Sequence, residues 1–346
     1  MTLRFDDLRG IGLVASERLG DLGQVAERFQ VALTEDVAGL IDPADPRDPI
    51  AAQFVPSAAE LETAGEEQAD PIGDERWSPV PGIVHRYPDR VLLKPSLVCP
   101  VYCRYCFRRE QIGARGKMLG RAALEHAYAY IRERPEIWEV IVTGGDPLLL
   151  SPRRVAAIVR NLAAIEQVQV IRFHTRVPVV DPRRITAAMT AALDSGKAVY
   201  VVIHANHPRE LTDAVKAAVG RLTRAGIPVL SQSVLLRGVN DDAAVLETLF
   251  RALVAMRVKP YYLHHPDLAR GTGHFRGDIA DGQLLMRALR GRLSGLCQPT
   301  YVLDIPGGHG KVPIGPCWLH RDGDGWAVED SAGARHRYPP PSSNKA

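Results

Sequence analysis

Apolar and polar positions fall into three regimes along the chain. Over roughly the first 50 residues, Val25, Phe29, Ala32 and Leu33 recur at helical spacing, which predicts short helices. Residues 34–41 extend that pattern until the run Asp-Pro-Ala-Asp-Pro-Arg-Asp-Pro breaks it. Residues 54–82 reverse the balance. They are rich in Pro and acids (Glu60, Glu62, Glu66, Glu67, Asp70, Asp74, Glu75) and read as a solvated, loosely ordered connector. From Arg90 onward, short apolar runs alternate with amphipathic stretches. Strands are predicted over 91–98, 140–143, 168–173, 198–203, 228–234 and 259–263, and helices over 121–132, 153–165, 183–193, 214–225 and 243–256.

Strand–helix alternation with buried-looking strands implies a parallel α/β sheet. Six such units predict a partial (β/α)6 barrel with an N-terminal helical extension rather than a full eightfold barrel. The expected division is an extension and linker over 1–85, the barrel over 86–315 and a short C-terminal tail over 316–346, its last residues PPPSSNKA disordered. No Gly-x-Gly-x-x-Gly follows a strand, so a dinucleotide fold is not supported, and no internal repeat is evident.

Composition narrows the function more by exclusion than by suggestion. A chain of 346 residues that is 46% hydrophobic can bury a sizeable core. Its net charge of +3 makes no case for nucleic acid or a membrane surface. No apolar run approaches the ~18–20 residues of a membrane span, and the N-terminus MTLRFDDLRG lacks an apolar signal core. Five cysteines are an odd number, three of them within eight residues, which argues for metal rather than disulfides and fits a reducing cytoplasm.

Those three, Cys99, Cys103 and Cys106, directly follow the first strong strand. In a parallel barrel that loop lies on the catalytic face. Thiolates at this spacing suit three corners of an iron–sulfur cubane and leave one iron open for a substrate. A structural zinc site would want a second close pair, which the isolated Cys297 and Cys317 do not supply. Near the end of the barrel region, Lys311 sits in Pro-Gly-Gly-His-Gly-Lys. That is no phosphate loop, because Ile305 and Val312 stand where Gly and Ser/Thr are needed. Flanking glycines would instead let a bulky carbonyl cofactor reach a Schiff-base lysine.

Cys-x3-Cys-x2-Cys with Tyr105 before the last cysteine resembles the radical S-adenosylmethionine superfamily. The segments HRYPDRVLL, CRYCFRR, TGGDPLLL, TRVPVVDPRRI, HANHPREL, QSVLLRGVND and PGGHGKVP, in unbroken order from about residue 77 to 315, resemble the lysine 2,3-aminomutase family. That resemblance implies a [4Fe–4S] cluster on the three cysteines, S-adenosylmethionine, and pyridoxal 5′-phosphate on Lys311 as the catalytic lysine. It implies cofactor contacts from Gly144, Gly145, Asp146, His204 and Gln232 to the adenosyl ligand, and from Arg86 and Arg90 to the pyridoxal phosphate group. It also implies that Arg108 pairs with the substrate carboxylate, while Asp267 and Asp304 grip the distal ammonium of lysine. His264 and His265 depart from the family, whose free lysine enzymes more often carry Tyr and Gln there.

The activity so implied is a radical 1,2-amino shift converting lysine to β-lysine in the cytoplasm. Its partners would be the small-molecule substrate and an electron donor such as flavodoxin or ferredoxin. Neither nucleic acid nor membrane is involved, and a homo-oligomer is compatible with this reading. An (R)-β-lysine-forming enzyme serving elongation factor P is the near alternative, which chiral analysis of the product would separate. A non-catalytic iron–sulfur carrier or sensor is the alternative of another class; it predicts a fourth protein ligand and no use for Lys311.

Overall fold

The computed structural model describes residues 2–14, 19–113 and 117–340. Its centre is a nine-stranded sheet formed by β1 (Ile83–Tyr87), β2 (Arg90–Ser96), β3 (Glu139–Gly144), β4 (Val170–Thr175), β5 (Ala198–His204), β6 (Val229–Val234), β7 (Val258–His264), β8 (Thr300–Ile305) and β9 (Gly310–Pro313), in sequential order. Strands β2 to β8 are parallel. The edges β1 and β9 run antiparallel to their neighbours. The sheet curls until these edges meet: the Tyr87 hydroxyl on β1 accepts from the Lys311 backbone N–H on β9 at 2.7 Å. The result is a nearly closed barrel.

Six helices, α1 (Arg121–Arg132), α2 (Pro152–Ala163), α3 (Ala187–Ala192), α4 (Asp213–Arg224), α5 (Ala243–Ala255) and α6 (Ile279–Arg290), each connect two successive parallel strands. The six strand–helix units are therefore present, followed by a seventh parallel strand. Three helices bury the same i, i+3, i+4, i+7 stripe: Val155, Ile158, Val159 and Leu162 in α2, Val215, Ala218, Val219 and Leu222 in α4, and Leu246, Leu249, Phe250 and Leu253 in α5. These pack on alternate strand residues such as Val91, Leu93, Val140, Val142, Ile171 and Phe173. Strand periodicity then turns the intervening residues, Lys94, Thr143, His174, His204, Gln232 and His264 among them, into the lumen. The lumen is thus polar, and the hydrophobic core is the shell between strands and helices. No helix among the described residues is long and apolar enough to cross a membrane.

Two expectations need correction. The acid-rich segment 54–82 is not a solvated connector: Glu60, Glu67 and Asp74 are all buried. Glu60 receives Arg104 and Arg109, Glu67 receives Arg276, and Asp74 receives Arg86 and Arg108. Buried arginines need counter-charges, and this segment supplies them. Residues 316–340 are more than a tail. Leu319–Asp322, Gly325–Glu329 and Arg335–Tyr338 form a three-stranded antiparallel meander. The expectation for residues 341–346 lies outside the described residues.

Candidate functional site

The cysteine loop leaves the C-terminal end of β2, and the residues between its cysteines anchor it. The Tyr102 amide donates to Ala32 O and its hydroxyl to Arg109 O, while the Arg104 amide donates to Gln53 O. The Arg104 guanidinium meets Glu60, with Nε 2.9 Å from Oε1 and 3.0 Å from Oε2, and gives Gln30 O a 2.7 Å bond. The N-terminal extension thereby holds the loop while leaving Cys99, Cys103 and Cys106 as free thiols. Burial raises the pKa of all three, to about 12 for Cys106. Each thiolate would also repel its neighbours. Asp146 raises Cys99 further, whereas Arg176 offsets part of the rise at Cys103. Buried thiols of this kind ionise when a cationic centre binds them. Among the described residues, no three His, Cys, Asp or Glu side chains converge on a point suited to one metal ion. A cubane asks for something else, because each thiolate takes its own iron and the sulfurs stand apart. The donor set fits such a cluster.

The loop after β3 docks directly on this segment. Gly145 N donates to Ser96 O and Asp146 N to Val98 O. Gly144 has φ +108°, and a Cβ there would lie 2.6 Å from Ser96 O; one on Gly145 would lie 2.4 Å from Val98 O. The close approach these glycines permit is therefore to the chain's own backbone. Asp146 is buried and accepts from Thr175 Oγ1, Leu148 N, Arg176 N and Val177 N. Its acceptor capacity is filled by the ends of β3 and β4, so it braces the loop.

At the top of β5, His204 Nε2 lies 3.3 Å from the Tyr105 hydroxyl and 3.2 Å from Asn206 Oδ1. Burial and the nearby Arg176 depress its pKa well below the usual range, so the ring is neutral. Arg176 in turn donates to the Tyr105 hydroxyl and to Glu210. Gln232 neighbours His204 in register on β6, half-buried.

A second group gathers where the barrel closes. Lys311 faces Asp304 across the β8–β9 pair, and its Nζ donates to Asp304 Oδ2. His264 Nδ1 lies 3.2 Å from the same Nζ. The Lys311 ammonium holds the Asp304 carboxyl far below the usual carboxylate range, against the effect of burial. Asp267, on the loop after β7, is pushed the other way, up to about 7, by burial and by the Asp304 charge. Arg86 Nη1 approaches Asp304 at 3.8 Å, and Arg86 Nη2 binds Ile72 O and Asp74 Oδ1. Arg108 places Nε and Nη2 on Asp74 Oδ2 at 3.0 and 2.8 Å. Arg86 Nε and His264 Nε2 are buried with no hydrogen-bond partner among the described residues, as expected of a lumen shaped for a polar ligand.

Of the residues singled out from the sequence, Lys311, Asp304, Arg86, Arg108 and Asp267 come together at this seam. Arg90 does not join them. Its side chain remains 34% exposed, paired with Asp89 and stacked 3.9 Å over the Tyr87 ring. His265 also stays outside, bonded to the Tyr301 hydroxyl at 2.8 Å. The sequence reading missed Asp74, which touches Arg86, Arg108 and Lys94. Only its place between Ile72 and Trp77, apolar residues within an acidic run, hinted at burial. Arg76 and Trp77 from the same segment donate to Gly307 O and Gly308 O, pinning the loop that leads to Lys311.

Comparison with known proteins agrees with this arrangement. The model of the Radical SAM superfamily matches residues 93–249. An L-lysine 2,3-aminomutase of Clostridium subterminale is 41% identical over 89% of this chain and 74% of its own. That of Acetoanaerobium sticklandii is 42% identical over 85% of this chain and 71% of its own. A glutamate 2,3-aminomutase of Clostridioides difficile is 38% identical over 88% and 72%. With identity of this extent over most of its length, the chain belongs to the lysine 2,3-aminomutase family of radical S-adenosylmethionine enzymes.

Proposed function

We propose that this chain is an L-lysine 2,3-aminomutase, an isomerase that moves the α-amino group of lysine to the β-carbon. The family works with a [4Fe–4S] cluster, S-adenosylmethionine and pyridoxal 5′-phosphate. Bound together, these supply a carbon-centred radical that removes a substrate hydrogen and an aromatic ring that spreads the unpaired electron while nitrogen migrates.

The residues divide that work. Cys99, Cys103 and Cys106 would each ligate one iron and leave the fourth open. His204 and Gln232 line the approach above the cysteine loop as polar contacts for the adenosyl ligand. Gly144, Gly145 and Asp146 would serve it by bracing the loop rather than by donating or accepting directly. Lys311 would bond covalently to the pyridoxal carbonyl carbon. Arg86 is the favoured phosphate contact, being half-buried with a spare, buried Nε; Arg90 contributes at most from the rim. Arg108, oriented by Asp74, would take the substrate carboxylate, a task suited to a planar guanidinium. Burial within the barrel keeps water from the reacting carbons.

The observation that carries lysine over glutamate is the Asp267–Asp304 pair. Asp267 is a half-buried carboxyl whose side chain makes no hydrogen bond among the described residues, beside a second carboxylate that raises its pKa. Two such acids call for a cation, and the distal ammonium of lysine supplies one where the distal carboxylate of glutamate would add a third negative charge. Asp304 would then exchange the Lys311 ammonium for that of the substrate. Steady-state kinetics test this: Asp267→Asn and Asp304→Asn should each cost ~1.5–3 kcal/mol, or roughly 10- to 150-fold in kcat/KM for lysine. Unchanged kinetics in both variants, or a wild-type preference for glutamate, would remove the assignment. The reading further takes a flavodoxin or ferredoxin as electron donor and the cytoplasm as location.

A further inference from the structure

His264 ends β7 beside Val302 of β8, and its ring reaches the lysine seam. Nδ1 lies 3.2 Å from Lys311 Nζ, which also donates to Asp304 Oδ2. Nδ1 is 3.8 Å from that carboxylate oxygen, so two acceptors flank one ammonium. An ammonium offers only donors, and Nδ1 must therefore accept. Burial and the Lys311 charge depress the ring's pKa to about 4, which makes it neutral near pH 7. A neutral ring accepting at Nδ1 carries its proton on Nε2. Nε2 is buried and has no hydrogen-bond partner among the described residues. A buried N–H without an acceptor costs its desolvation with nothing in return, unless a ligand completes it. His265, next along the chain, is satisfied by Tyr301 and supplies no such donor.

We propose that His264 is a positioning residue for covalent capture at Lys311. Its Nδ1 aligns Nζ together with Asp304, and its Nε2–H donates to an anionic oxygen of the ligand bound there. The inference rests on the reading of Lys311 as the pyridoxal phosphate lysine. The capture it serves is balanced without any further reactant: Nζ passes one proton to the Asp304 carboxylate and bonds to the aldehyde carbon as the free amine, that proton and a second one from nitrogen leave with the aldehyde oxygen as water, and the third stays on nitrogen. The acceptor oxygen belongs either to the cofactor or to the amino acid joined to it.

The test uses anaerobically purified protein free of pyridoxal phosphate, with His264→Phe and His264→Gln beside the wild type. Pyridoxal phosphate is added alone or with lysine. Capture is followed by the absorbance of the adduct, then fixed with borohydride and mapped. Phe keeps the ring's bulk and removes both nitrogens; Gln restores one acceptor and one donor. Capture on Lys311 should slow roughly tenfold or more in the Phe variant and return to within about threefold in the Gln variant, the loss expected for one hydrogen-bonding group. The absorbance maximum should move in the Phe variant. A shift with cofactor alone assigns the acceptor to the cofactor; a shift appearing only with lysine assigns it to the substrate. Thermal melting of each variant checks folding. Independently of any variant, the imidazole 15N resonances of the wild type should report the Nε2–H tautomer. A Phe variant that captures at the wild-type rate with an unmoved spectrum, or a protonated Nδ1, overturns the inference and leaves Lys311 standing. Wild-type labelling at another lysine overturns the Lys311 reading and this inference with it.

Discussion

Glu60 offers the sharpest test of how the N-terminal extension supports the site. Its carboxylate is inaccessible to solvent and serves two guanidiniums, those of Arg104 and Arg109, which are themselves buried. Oε1 also accepts from Ser57 N at 2.8 Å, closing the short helical turn Ala58–Leu61. Replacing Glu60 with Ala would leave two cations facing each other in a space with no other carboxylate partner among the described residues, the situation in which breaking a buried pair costs about 3–5 kcal/mol. At about 2.1 cal/mol/K per residue, 346 residues give an unfolding entropy of about 0.7 kcal/mol/K, so Tm should fall by about 4–7 °C. The exposed Glu62, two residues on, is the control; its removal should stay within about 0.5 kcal/mol, or under 1 °C. Thermal unfolding of the cofactor-free protein by circular dichroism reads both. Because Arg104 anchors the cysteine loop, the Glu60 variant should also load less iron. Equal melting of the two variants would refute the claim that this acidic segment is a buried structural partner.

Three further predictions follow from the same geometry. Replacing Cys99, Cys103 or Cys106 with Ala should abolish reductive cleavage of S-adenosylmethionine, whereas Cys297→Ala and Cys317→Ala should leave iron content unchanged; 5′-deoxyadenosine formed at the normal rate without Cys103 would overturn the ligand assignment. Gly145→Ala would drive a methyl into Val98 O, which is backbone and cannot swing aside, so cluster loading should fall severely; normal loading would contradict the close approach. Asp267 carries a folded-state pKa raised from 3.8 to about 7, so its ionisation destabilises the fold by an amount absent below pH 4, growing between 4 and 7 and full above 7. Asp267→Asn should accordingly raise Tm at pH 8 relative to wild type and change it little at pH 4; an equal difference at both pH values would refute the assigned pKa.

The barrel was legible where strands bury both faces. The run from Val140 to Val142 is apolar without interruption because Val140 and Val142 pack against the helices while Ile141 is also buried on the opposite face. Helices α2, α4 and α5 announced themselves through their apolar stripes. Helix α6 was hidden by Gly282, which weakens helical propensity but is required where the Tyr301 ring packs, since a Cβ would lie 2.2 Å from the hydroxyl oxygen. Strand β8 was not predicted, and only Asp304 within it was singled out, because that residue interrupts the apolar run to serve the site. The acidic segment misled for a different reason. Local composition reports charge, but burial is decided by partners far along the chain, Arg276 for Glu67 and Arg108 for Asp74. At the site, the cysteines and Lys311 were legible from spacing and neighbouring glycines. That Asp304 pairs with Lys311, that Asp146 is fully occupied, and that Arg90 sits on the rim depended on strand register, which no local pattern encodes.

The most direct test of the account is anaerobic reconstitution with iron, sulfide and pyridoxal phosphate, followed by reduction and incubation with S-adenosylmethionine and either L-lysine or L-glutamate. Chromatography of the products, with chiral resolution, should reveal β-lysine from lysine and no β-glutamate from glutamate. Loss of either the cysteine triad or Lys311 should abolish turnover. Consumption of S-adenosylmethionine with no β-amino acid formed, or β-glutamate as the principal product, would contradict the lysine aminomutase assignment.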